Sequence, residues 1–434
     1  MNLRYIHNQI SFKLLAGILV FVLPTGLVRS QETPFSRGVN LTNWFQEDDI
    51  RKVQFTKYTK QDFSDIKSLG FDVIRLPINL HFMTDGAPDY ALDPIFLLLL
   101  DQVVDWAEEL EIYLILDNHT FDNTVDTDPA VEIPLLKVWS QMAGHFRERS
   151  EYLYYEVLNE PHGISDSQWN SIQADVVEEI RKSDTKHYIV VGPAGWNSYN
   201  NLDNMPEYED EKLIYTFHFY DPFLFTHQGA SWVDPSMEEV KGIPFPYDAE
   251  NMPGVPEIYV GTWIGSSYSS YPVDGTMKKM KELLQMAVEF RSQRSVPVYC
   301  GEFGVYMPTS GEEYRVPYYD SLTHYLGSLG IAWTMWDYHG GFGLFEEGTD
   351  GLFDHDLNIP LLEAMGANIP EQTEYIRVPD SAGFILYDDY IAHRIVEASW
   401  PKGIADFYST DHPNNGNYCI HWTGASLYEA IVFD

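Results

Sequence analysis

Cysteine is almost missing from this chain: Cys300 and Cys419 are the two in 434 residues. That excludes a small fold stapled by disulfides, and no Cys/His cluster has zinc-binding spacing. Cys300 sits inside an apolar run and Cys419 near the far end, so small free thiols are expected rather than a bridge. Basic residues are scarce too: 27 Lys and Arg face 65 Asp and Glu, a formal net charge of −38. Charge of that sign repels phosphate backbones and anionic lipid, which excludes nucleic-acid or membrane binding through bulk charge. A Gly-rich phosphate loop is also absent. The apolar run over residues 14–23 is too short to span a bilayer comfortably. With Arg4 and Lys13 before it and Val28-Arg29-Ser30 after it, it reads as a signal peptide over residues 1–30. Its removal takes the net charge to about −41. A secreted or periplasmic protein without a membrane anchor is expected. The glycosylation-type triplets at Asn40 and Asn118 fall at strand ends and are discounted.

What the chain does have is an alternation of apolar runs and helical patterns over residues 31–367. Strands are predicted over 35–44, 71–77, 112–118, 152–158, 188–192, 213–219, 296–300 and 331–336. Between them lie helical stretches with readable ends. Thr59 and Asp62 cap one start, Asp93-Pro94 opens another, and Pro317 is expected to open the helix that Gly330 closes. Strands that are apolar on both faces and separated by helices predict a parallel closed (β/α)₈ TIM barrel. Two connections exceed ordinary loop length. Residues 221–274 hold few helical signals and many aromatics, and residues 337–355 are rich in Gly, Phe and acids. Both read as walls of a cleft.

Nearly every predicted strand ends in polar or aromatic residues, and a barrel gathers such ends on one rim. Val157-Leu158-Asn159-Glu160-Pro161 closes the fourth strand, and Cys300-Gly301-Glu302-Phe303-Gly304 closes the seventh. Pro161 biases Glu160 away from helical angles, which predicts an extended turn. Two strand-end glutamates predict a carboxylate pair facing one cleft.

The barrel region resembles glycoside hydrolase family 5, the cellulase family among retaining (β/α)₈ glycosidases. The resemblance rests on Arg75 in Ile-Arg-Leu-Pro, His119 in Leu-Asp-Asn-His, and Asn159-Glu160 in Leu-Asn-Glu-Pro. It continues with His218 and Tyr220 in Phe-His-Phe-Tyr, Glu302 in Gly-Glu-Phe-Gly, and Trp336 in Trp-Thr-Met-Trp. The resemblance implies Glu160 as acid/base and Glu302 as nucleophile, with the Glu160 pKa raised mainly by the charge of Glu302. It implies that Arg75 orients Glu302, Asn159 meets the sugar 2-OH, Tyr220 contacts Glu302 and His218 supports Glu160. It further implies that His119 meets a sugar hydroxyl and that Trp336, with a cis peptide after it, backs the sugar ring. No metal or cofactor is expected, and the expected partner is a β-linked polysaccharide. The leading reading is cleavage of internal β-1,4-glucosidic bonds. A β-mannanase, a xyloglucan or mixed-linkage glucan hydrolase, and a non-catalytic carbohydrate-binding protein on the same scaffold remain alternatives.

Residues 368–381 read as a linker, and 382–434 as a short β-rich C-terminal segment. Residues 413–420 resemble the opening half of jelly-roll carbohydrate-binding modules. Two readings stand for this segment: a truncated module, which is favoured, or strands docked on the barrel.

Overall fold

Side chains along a strand alternate between faces, and this chain uses the alternation to build a barrel with an apolar floor and a polar interior above it. The computed structural model describes residues 32–122, 124–374, 385–395, 397, 404–424 and 430–433. The expected signal peptide and the C-terminal half of the expected linker, 375–381, lie outside the described residues. Eight strands close in sequence order: β1 (Arg37–Asn40), β2 (Val73–Ile78), β3 (Tyr113–Asn118), β4 (Leu153–Glu156), β5 (Tyr188–Val191), β6 (Leu213–His218), β7 (Val298–Glu302) and β8 (Ala332–Met335). All pair in parallel, and β1 meets β8 with Val39 opposite Met335. Inside the N-terminal end, Phe35, Val73, Ile115, Tyr154, Val190, Ile214, Tyr299 and Ala332 form a buried floor. Phe35 plugs it, edge-on to Tyr154 and Tyr299 at ring distances of 5.5 and 5.3 Å.

The helices surround the strands, and their ends follow local chemistry. α1 (Lys60–Ser68) starts with a full capping box, Thr59 and Asp62 satisfying each other's backbone donors. α2 (Pro94–Glu109) has Asp93 as N-cap and proline at the first turn, where its missing N–H costs nothing. α3 (Glu132–Phe146) and α4 (Asp166–Arg181) follow β3 and β4. Between β5 and β6 the main element is a short 3₁₀ helix, Tyr199–Asn204. After β6 come α5 (Phe223–Thr226), α6 (Trp263–Asp274) and α7 (Met277–Arg294). The region expected to hold few helical signals thus contains a twelve-residue helix. Its Ser, Gly and Tyr content hides it, but Thr262 caps it by accepting from Gly265. α8 (Glu312–Ser328) also corrects the sequence reading: it starts at Gly311, with Pro317 inside it. Glu312 and Glu313 in its first turn face the positive helix end, which favours the earlier start. α9 (Ile359–Ala364) completes the ring. No helix among the described residues is long and apolar enough to cross a membrane.

The C-terminal segment forms two small antiparallel pairs: β9 (Tyr387–Asp388) with β10 (Tyr390–Ile391), and β11 (Ile404–Ser409) with β12 (Cys419–Thr423). They lie against the connection between β1 and α1. The Tyr408 hydroxyl donates to the Val53 carbonyl at 2.6 Å, and the Phe55 and Tyr390 rings are 5.4 Å apart. The described strands are therefore docked on the barrel. Cys300 and Cys419 are both free thiols.

Candidate active site

Two residues above the floor, the inward positions turn polar. Val73 is followed by Arg75, Ile115 by Asp117, Tyr154 by Glu156, Ile214 by Thr216 and Ala332 by Thr334. Arg75 occupies the centre of this layer and is fully buried. Its guanidinium meets Glu156 with two bonds of 2.8 and 2.9 Å. Nη1 donates to Asn40 at 3.0 Å and to Glu302 Oε1 at 2.7 Å. Nη2 donates to Asn159 at 2.8 Å and lies 3.0 Å from Asp117 Oδ2. Burial opposes charge on Arg75, but Asp117, Glu156 and Glu302 outweigh it and hold the cation. One cation cannot satisfy three buried carboxylates equally. Burial pushes Asp117 up to about 7 and raises Glu156, with Arg75 opposing both.

Glu302 reaches this layer through an irregularity. Phe217 pairs with Cys300, and the next pair is His218 with Glu302, so Gly301 is skipped. Regular alternation from the inward Tyr299 would turn residue 302 outward; the bulge turns it in. Arg75 takes Oε1, and the Tyr220 hydroxyl donates to Oε2 at 2.9 Å. Burial raises the Glu302 carboxyl, with His218 and Arg75 pulling it back.

Glu160 ends the fourth strand's extension with φ +45°, left-handed rather than the extended turn expected before proline. Such a backbone persists when its surroundings fix it. Here the Pro161 carbonyl accepts from Gly195 at 2.8 Å, and Asn159 N–H donates to the Asn118 carbonyl at 2.9 Å. His162 Nδ1 lies 2.9 Å from the Glu160 carbonyl oxygen. The Glu160 side chain is 14% exposed, with Oε1 2.7 Å from His218 Nδ1. The same nitrogen is 3.6 Å from Glu302 Oε2. One oxygen of each glutamate lies within 4.8 Å of the other. Burial pushes Glu160 up to about 8; Arg75 and His162 oppose, while Asp117 and Glu156 add. The rise therefore comes chiefly from burial, not from Glu302 as expected. His218 is driven down to about 4 by burial and is neutral at neutral pH.

His119 and Trp336 form the opposite side. The two rings stack at 5.4 Å and 18°, and His119 Nδ1 lies 2.6 Å from Asp117 Oδ2. The Trp336–Asp337 peptide is cis. All eight residues singled out in the sequence thus form one connected cluster at the C-terminal ends of the strands. Asp117 and Glu156 belong to it and were missed. The signal was present: each stands two positions beyond an inward floor residue, Ile115 and Tyr154.

The long loops form a wall beside Tyr220. Tyr306 N–H donates to the Thr226 carbonyl at 2.8 Å and Met307 N–H to that of Gly341 at 2.6 Å, joining the loops after β6, β7 and β8. Trp232, Tyr306 and Phe342 pack together there, with Trp232 42% exposed.

Residues 28–341 match the family model described as cellulase (glycosyl hydrolase family 5). The chain belongs to glycosyl hydrolase family 5. Endoglucanase 3 of Fibrobacter succinogenes is 30% identical over 337 residues, 72% of this chain and 51% of that protein. The present chain therefore aligns with about half of that relative's length. Endoglucanase C of Acetivibrio thermocellus is 28% identical over 70% of this chain and 91% of its own. Among solved structures, the endoglucanase Cel5A of Thermotoga maritima superposes with TM-score 0.63 at 26% identity, covering 76% of this chain and 96% of that one. Structures of the same Thermotoga protein carry cellobiose and mannotriose.

Glu160, His218 and Glu302 are also close enough to gather a metal ion. Arg75 and Tyr220 already occupy both Glu302 oxygens, and a guanidinium at 2.7 Å opposes a second cation. The arrangement suits two carboxylates of different protonation working on one bond.

Proposed function

We propose that this family 5 chain is an exported endo-β-1,4-glucanase that cleaves its substrate with retention of configuration. The observation that carries the mechanism is the glutamate separation. Retaining glycosidases hold their carboxyl groups roughly 5 to 5.5 Å apart, inverting ones about 6.5 to 9.5 Å. Glu160 and Glu302 bring oxygens within 4.8 Å. In the proposed first step, Glu302 Oε2 attacks the anomeric carbon while Arg75 keeps Oε1. The glycosidic C–O bond breaks, and the proton of Glu160 passes to the leaving oxygen. Burial keeps that proton in place at neutral pH. In the second step the Glu160 carboxylate takes a proton from water, which attacks the same carbon and releases Glu302.

Asn159 is proposed to meet the 2-OH; its Nδ2 has no partner among the described residues. Trp336 is proposed to back the sugar ring, and His119 to meet a hydroxyl. The endo-glucanase reading draws on the names of the relatives. A β-mannan is the second substrate to test, because a family member was solved with mannotriose. Export rests on the pattern of residues 1–30.

The test is a product profile on soluble β-glucans and β-mannans, with the anomer of the first-formed product read by NMR. Internal cuts in β-1,4-glucan giving the β-anomer are expected. An α-anomer would overturn the two-step mechanism, and mannan preference would overturn the glucanase reading.

A further inference from the structure

The search for unassigned function leads to Asp117, a carboxylate beneath the cleft with no role in the two-step chemistry. It is fully buried on β3. Its Oδ2 makes both of its contacts, 3.0 Å to Arg75 Nη2 and 2.6 Å to His119 Nδ1. Its Oδ1 finds no donor among the described residues.

We propose that Asp117 is a positioning residue that locks His119 into the Nδ1–H tautomer, so that His119 Nε2 can only accept a hydrogen from a sugar hydroxyl. The inference rests on the proposed glycosidase reading for the identity of the sugar, but not for the tautomer. The argument is one of donors and acceptors. A carboxylate has no hydrogen to give, and Arg75 Nη2, 3.0 Å away with its own hydrogens on Glu156 and Asn159, favours the ionised form by charge. Oδ2 of that carboxylate accepts at 2.6 Å, and Nδ1 must supply the hydrogen. Burial drives His119 down to about 3, so the ring carries a single N–H. That hydrogen is on Nδ1, and Nε2 on the far side of the ring keeps a bare lone pair.

The lock holds while Asp117 is ionised. Burial pushes Asp117 up to about 7, and below that a protonated Oδ2 can instead donate to Nδ1, which moves the ring hydrogen to Nε2. The groups facing this pair are Arg75, Glu156 and Glu302 from β2, β4 and β7, and Trp336, which stacks on the ring. None of them offers Nδ1 a competing donor.

The lock has a chemical consequence. A histidine with Nε2–H could meet any sugar oxygen, including an ether or a ring oxygen. One with a bare Nε2 demands a hydroxyl hydrogen. The site then rejects a sugar that lacks that hydroxyl, since a buried acceptor would be left unpaired.

The test uses full-length protein labelled with ¹⁵N-histidine, the His119 signal being assigned by its loss in His119→Asn. Nitrogen shifts separate the two tautomers and the imidazolium. The Nδ1–H form is expected at pH 8, where Asp117 is ionised. A wild-type spectrum showing Nε2–H or imidazolium at that pH overturns the proposal, whether or not any variant folds. In Asp117→Ala a tautomer mixture is expected, with kcat/KM on an activated aryl cellobioside about three- to tenfold lower. Asp117→Asn keeps a carbonyl acceptor for Nδ1; it should restore the Nδ1–H form and recover most of the loss. An alanine variant that keeps the wild-type tautomer, or an asparagine variant that loses it, overturns the lock. Absence of turnover on every glucan would refute the glucanase reading alone, because the spectrum does not depend on hydrolysis.

Discussion

Glu302 pairs with His218, one position later than the regular β6–β7 register would give. The skipped residue, Gly301, has no side chain to place, and the space matters. A Cβ there would stand 2.6 Å from Thr216 Oγ1 and 3.1 Å from His218 Nε2. Gly301→Ala should therefore push His218 away from Glu160 and lower kcat at least tenfold. The melting temperature should fall by no more than a few degrees, about 2 to 4 °C per kcal/mol for a domain of this size. Unchanged kcat would mean that the site tolerates a different register.

The pH profile follows from the proton on Glu160. Its acid form is the working form, and burial holds its pKa at about 8. Plots of kcat/KM against pH should therefore fall above about pH 8. On the acid side, activity should fall as Glu302 protonates, since the carboxylate is the attacking form. A basic limb in the ordinary carboxylate range would contradict the assignment of Glu160 as the acid.

Replacing the two glutamates should separate their roles. Glu302→Gln should abolish turnover and spare sugar binding, because an amide is a very poor nucleophile. Glu160→Gln should still form a glycosyl-enzyme from an aryl glycoside whose leaving group needs no proton. That intermediate should accumulate, and azide, which needs no base, should restore turnover. Azide rescue of the Glu302 variant with retained product would reverse the roles.

Arg75→Met leaves Asp117, Glu156 and Glu302 without their shared cation. Breaking a buried pair of this kind costs about 3 to 5 kcal/mol. The sign of the pH effect is fixed. Without Arg75 the folded-state pKa values of these acids rise further above their unfolded values. The penalty is full only above the raised folded-state pKa values and shrinks as falling pH protonates the acids. Urea unfolding at pH 7 and pH 5 should show the variant recovering part of its deficit at the lower pH. A constant deficit would mean that the carboxylates are not the cause.

The barrel was legible because each strand is a short run apolar on both faces. The glutamates were legible because Asn-Glu-Pro and Gly-Glu-Phe-Gly end such runs. Asp117 and Glu156 were harder, because a single acid inside an apolar run is visible as inward-facing only once the floor residues are known. The bulge at Gly301 depends on a partner strand more than eighty positions away, which local pattern does not contain. Glu160's left-handed backbone is set by contacts to Asn118 and Gly195, again distant in sequence. Pro317 misled because proline usually marks a helix start, whereas here Gly311 and two glutamates begin it earlier.

The docking of Tyr408 on Val53 and of Tyr390 on Phe55 bears on how the chain can be divided. Composition draws a border near residue 368, as though the tail were a detachable accessory. Mechanically the border lies elsewhere, since the tail covers Val53 and Phe55 in the segment that leaves the first strand for its helix. Exchanging the tail for a foreign module at that border would uncover an apolar patch of the barrel itself. The smallest unit that can be transplanted intact is the barrel together with its tail.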